Sequence, residues 1–94
     1  MKQPTYTRES AETLALQAIA FLADDDERLY RFISTCGLTA QDLHHAVGDS
    51  AALAGILDYI LGDDALVVGF ADYADVPPEA PAAARRALPG GDTI

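Results

Sequence analysis

The chain has 94 residues, half of them hydrophobic, and 15 acidic against 6 basic side chains give it a formal charge of −9 at pH 7. At this length it is one domain with a small core, since folding hides only about 60% of the surface an unfolded chain of this size exposes. The charge repels nucleic-acid phosphates and anionic lipid heads and favours basic proteins or cations, although an acidic surface is as a rule only a solubility device. Cys36 stands alone, which rules out an intramolecular disulfide and a cysteine-held zinc. With no signal-like stretch and no apolar run near eighteen residues, the cytoplasm is the expected compartment.

In chain order, residues 1–6 carry Pro4 and no periodicity and read as a mobile arm ahead of one helical domain spanning 7–90, with a frayed tail over 91–94. Thr7 caps a first helix reaching about Ala23, whose buried stripe is Ala11, Leu14, Ala15, Ala18, Phe21 and Leu22. Asp24, Asp25, Asp26 and Glu27 open the second helix, with Asp24 as its cap. The second helix buries Leu29, Phe32, Ile33 and Cys36 and stops at Gly37. Thr39 begins a third helix with Asp42 as its capping-box acid and Leu38 and Leu43 spaced as a hydrophobic staple, ending near Val47.

Asp49 to Asp75 is the most apolar stretch and reads as a helical hairpin. Leu53, Ile56, Leu57, Ile60 and Leu61 share one face of its first helix, and Leu66, Val67, Phe70, Ala71 and Ala74 share one face of its second. Asp49 and Asp63 are the caps, and Gly62 between the helices suits a left-handed conformation. Pro77, Pro78 and Glu79 announce a last helix. Pro81 would clash one turn back, so the first turn should be distorted and regular helix should run from about Pro81 to Leu88. The fold class is therefore all-α, a compact bundle of five or six short helices.

A shift near 39 residues lays Phe21-Leu22-Ala23-Asp24-Asp25 over Ile60-Leu61-Gly62-Asp63-Asp64, and the apolar stripes of the flanking helices follow. Two readings stand. Either any two amphipathic triplets align this way, or the chain holds two pseudo-repeated three-helix halves packed about a pseudo-twofold axis.

No motif carries chemistry. The acidic clusters at Asp24 to Asp26 and at Asp63 and Asp64 lack the spacing of a calcium loop and already serve as helix caps. His44 and His45 are adjacent on a helix, so they diverge by about 100° and cannot clamp one ion. Cys36 fits better as a small core residue than as a thiolate, since the carboxylates near it in sequence would raise its pKa. The Gly37-Leu38-Thr39 turn resembles that of a helix-turn-helix reader, but the helix after it offers Gln41, Asp42, His44 and His45 and no Arg or Lys for DNA. Arg85 and Arg86 fit the negative end of their own helix better than a ligand. No catalytic residue, metal site or cofactor is expected.

Ala20-Phe21-Leu22-Ala23-Asp24, the Arg-Phe ahead of Gly37-Leu38, Leu57-Asp58-Tyr59-Ile60-Leu61, and the run from Ala83 to Gly90 together resemble the small bacterial family named domain of unknown function 3572. The resemblance runs from about Thr7 to Gly90 and brings no activity and no site residues. It implies at most a regulatory setting, since members tend to be encoded close to a single-domain response regulator.

The expected function is non-enzymatic: a module that binds a protein partner or itself, as a homodimer, and neither nucleic acid nor membrane. A degenerate helix-turn-helix nucleic-acid binder and a small metal- or ligand-dependent enzyme are the alternatives. The candidate interaction surface is Leu16 with Ala20 on the first helix and Val68 on the fifth, because Leu16 and Val68 lie roughly 120–150° from the buried faces of their helices. Isolated exposed apolar residues are ordinary, so idle surface is the competing account.

Overall fold

The computed structural model describes residues 5–37 and 39–88, and their side chains except those of residues 40 and 43. Six helices follow one another: α1 (Arg8–Ala23), α2 (Asp26–Cys36), α3 (Ala40–Ala46), α4 (Ser50–Leu61), α5 (Asp64–Ala74) and α6 (Ala80–Arg86), with no strand among the described residues. The chain is an all-α compact bundle. Residues 1–4 of the proposed arm at 1–6, the proposed tail at 91–94 and the Leu38–Leu43 staple lie outside what is described. Tyr6, placed by sequence in the arm, is half-buried and packs against the core.

Local side-chain chemistry sets most helix starts. Thr7 accepts from the Ser10 N–H while the Ser10 hydroxyl accepts from the Thr7 N–H, closing a capping box, and Thr39 and Asp42 do the same for α3. The Asp49 carboxylate accepts from the N–H groups of Ala51 and Ala52, and that of Asp63 accepts from Ala65. At α2 the sequence reading is one residue early. Asp25 has the extended backbone of a cap and accepts from the Arg28 N–H, whereas Asp24 is still helical and its own N–H closes the end of α1.

The chain reversals also correct one expectation. Gly62 keeps a right-handed conformation (φ −76°, ψ −4°), so the turn between α4 and α5 does not use its freedom. The left-handed ends fall instead at Gly37 (φ 69°) and at Asp75 (φ 58°), where the Val76 N–H bonds back to the Ala71 carbonyl. The last helix runs Ala80–Arg86, one residue earlier at its start and two at its end than the expected Pro81 to Leu88: residues 78–79 form a turn, and Pro81 sits inside the first turn, where no N–H is needed.

Packing is organised on α1 and α4, which lie together and contribute most of the core: Leu14, Phe21, Leu22, Leu53, Leu57 and Ile60 are all buried. Phe32 from α2 and Phe70 from α5 close it on either side, with Phe32 edge-on to Tyr59 at 4.8 Å and Phe70 tilted against Phe21 at 5.6 Å. A polar tie crosses the central pair. Ser50 of α4 donates to Glu12 of α1 and accepts from Arg8, which also lies 3.6 Å from Glu12.

The repeat is only partly realised. Each long helix carries its successor beside it, α2 on α1 and α5 on α4, as two matched halves require. The third helices differ. α6 packs against both α1 and α4, burying Ala80, Pro81, Ala83 and Ala84, while the main neighbour of α3 is α4. Small side chains let the axis of α6 approach closely, and Arg85 reaches Asp58 of α4 at 2.8 Å. The last turn of α2 is left exposed. Cys36, expected in the core, is exposed, and Leu29 and Ile33 are half-buried, as is Leu61 at the end of α4.

Candidate functional site

Three surface features come from this packing. The first is an apolar cleft of about 250 Å³ where the last turns of α2 meet α3 and the first half of α4. Phe32 and Ile56 are buried beneath it, and Cys36, Ala46, Ala52 and Gly55 line its walls with Asp42. Small residues keep it open: a Cβ placed on Gly55 would meet nothing within 4 Å. The hydrogen bonds of Thr39, first from its backbone N–H and then through its hydroxyl, hold the Asp42 carboxyl below the usual range, with His45 adding a smaller attraction. The Cys36 thiol is pushed up, and the cause is the partial burial of the sulfur, not the carboxylates nearby in sequence.

The second feature is a groove of about 280 Å³ that brings the two acidic turns together. Asp25 and Glu27 from the start of α2 face Asp63 from the start of α5, with Arg28, Arg31, Tyr59 and Leu66 between them. These groups are already engaged. Asp25 and Asp63 cap their helices, Arg31 binds Glu27 at 2.9 Å, and Arg28 donates to the Phe21 carbonyl. His44 and His45 stand exposed on α3, away from both acidic turns in the chain. Among the described residues no three His, Cys, Asp or Glu side chains are grouped so as to hold a metal ion.

The third feature is the set of apolar side chains left in water. Leu16 is 38% exposed and Val68 62%, and Ala20, one turn from Leu16, is exposed as well. Tyr30, Val47 and Tyr73 are further large side chains in the same condition, none of them singled out from sequence. Leu16 and Val68 do not meet at the junction of their helices. That junction is formed by Phe21 with Tyr73, at 5.5 Å, and by Gly69, where a Cβ would lie 3.3 Å from the Phe21 ring. Val68 is about 100° round the helix from Gly69, and Leu16 about 140° from Phe21.

Sequence periodicity picks out side chains that face away from a stripe, so it finds Leu16 and Val68. A cleft made by three helices has no such signal, because each contributing residue is unremarkable on its own helix.

A family model described as "Protein of unknown function (DUF3572)" matches residues 8–91. No curated protein and no solved structure matches the chain significantly. No described helix is long and apolar enough to cross a membrane.

Proposed function

The chain belongs to the family Protein of unknown function (DUF3572), and from that premise we propose that it acts by binding another protein, or a second copy of itself, with no chemistry of its own. The observation that carries this reading is the exposure of Val68, and in part of Leu16, on the outer faces of helices whose opposite faces make the core. Around Leu16 the neighbours on its face are small, Ala20 and Ala23, and beside Val68 stands Gly69, so another helix can lie close against either spot. The cytoplasm is the compartment this reading assumes, in keeping with the lone, unpaired Cys36.

Two readings of other classes find less support. As a nucleic-acid reader the protein would present α3, and that helix offers carboxylate and imidazole where phosphates need cations. As an enzyme it would use the groove at Asp25, Arg28 and Asp63, whose polar groups already serve helix ends. The deciding experiment is sedimentation velocity and circular dichroism on Leu16→Glu and Val68→Glu. Both variants should keep their helical content and melting point and lose self-association or partner capture. Unfolding would place both residues in the core, and a variant that still captures its partner would make them idle surface.

A further inference from the structure

Resting on the reading of the chain as a protein-binding module, we propose that the cleft between α2, α3 and α4 receives an apolar side chain from a basic amphipathic helix of a partner protein. Its volume of about 250 Å³ falls below the roughly 300–1,000 Å³ typical of small-molecule pockets, and it is open to solvent along one side. That suits one or two side chains projecting from a partner's surface. Ala46, Ala52 and Gly55 keep the walls low, so a helix backbone can come near enough to insert a leucine-sized group above Phe32 and Ile56.

The charge around the cleft decides what flanks that side chain. From Phe32 to Ile56, the span that supplies every lining residue of the cleft, the chain has no Lys or Arg and two carboxylates, Asp42 and Asp49. Asp42 lines the cleft, Asp49 caps the helix that forms one wall, and the negative end of the α2 dipole lies at Cys36 and Gly37. Of the described arginines, Arg28 and Arg31 are held on the first half of α2, by the Phe21 carbonyl and by Glu27. A second copy of this chain would bring the same negative field to the same place, so charge selects against self-docking here and for a partner carrying Lys or Arg beside its apolar anchor.

The test is isothermal titration of the full chain with a synthetic amphipathic Leu/Lys peptide of about 18 residues, five helical turns, and with the same peptide carrying Glu for Lys. The Lys peptide should bind saturably at one to one and the Glu peptide should not. Gly55→Leu fills open space and adds a better helix former, so its melting temperature should not fall, yet its affinity should drop at least about tenfold. Asp42→Asn can keep an oxygen for the Thr39 N–H while losing the charge, and should weaken binding roughly twofold to fivefold, as one exposed charge pair would. If folded Gly55→Leu binds the Lys peptide as tightly as the native chain, the peptide is collecting elsewhere on the acidic surface and the proposal is overturned. Equal binding of both peptides, or of neither, overturns it too. Failure of the Leu16 and Val68 variants to change association would count against the broader reading alone, since neither residue lines the cleft.

Discussion

Arg28 holds Phe21 twice: its Nη1 donates to the Phe21 carbonyl at 2.6 Å, and its guanidinium carbon lies 4.1 Å above the centre of the Phe21 ring. One side chain of α2 thereby adds a second donor to a carbonyl in the last turn of α1 that already accepts from the Asp24 N–H, and stacks on the ring that α1 shares with Phe70 and Tyr73. A hydrogen bond from a charged donor contributes about 1.5–3 kcal/mol, and a partly exposed cation such as that of Arg28 over an aromatic ring about 0.5–1 kcal/mol. Allowing for overlap, Arg28→Ala should cost about 1–3 kcal/mol in urea unfolding. Arg28→Lys should recover less than half of that, because an ammonium cannot lie flat on the ring and reach the carbonyl together. A loss equal to that of an exposed arginine elsewhere would show that the contact holds nothing.

Asp75 occupies the left-handed region at φ 58°, where a Cβ is disfavoured, in order to let the Val76 N–H close the end of α5 on Ala71. Asp75→Gly should therefore stabilise the protein by about 0.5–1 kcal/mol. The opposite change at the matching position, Gly37→Ala at φ 69°, should cost about 1 kcal/mol. Thermal melts of the two variants moving in the same direction would refute this account of the helix ends.

The acidic turns make a sharp comparison, because neighbouring aspartates differ in role. Asp25→Ala and Asp63→Ala should each cost about 0.5–2 kcal/mol, while Asp24→Ala should stay within about 0.5 kcal/mol. Calorimetric titration with calcium, magnesium and zinc should show no binding to the native chain that these substitutions remove. Micromolar binding lost in Asp63→Ala would make the turn a metal site.

Asp42 gives a pH dependence confined to the start of α3. Its carboxyl is held low by the Thr39 backbone hydrogen bond first and the Thr39 hydroxyl second. A group whose folded value is depressed contributes stability that is present above its unfolded value and is lost as pH falls through the folded one. The cap should thus survive mild acid and fail only below the ordinary carboxylate range near about 3.9. Carboxyl-detected NMR titration should place Asp42 below the free aspartate value of about 3.9, and Thr39→Ala should raise its midpoint toward that value. A midpoint untouched by Thr39→Ala would contradict the assigned cause.

Helix positions, the stripe on α1 and most caps were written in local sequence, because a period of about 3.6 residues and an oxygen ahead of an apolar run act within a few positions of themselves. The chain's own pattern therefore determined an all-α chain of five or six helices, the box at Thr39 and Asp42, a last helix that starts close to Pro81 and the outward stance of Leu16 and Val68. Tertiary packing decided what lies beside each face. α6, with its small Ala80, Ala83 and Ala84, took a place against both α1 and α4, whereas α3, which a symmetric repeat would place in the same way, found its main support on α4 alone. That asymmetry left Cys36 in water and opened the cleft over Phe32 and Ile56, and neither could be read from periodicity, since an apolar face is recorded in the sequence but the helix that covers it is not.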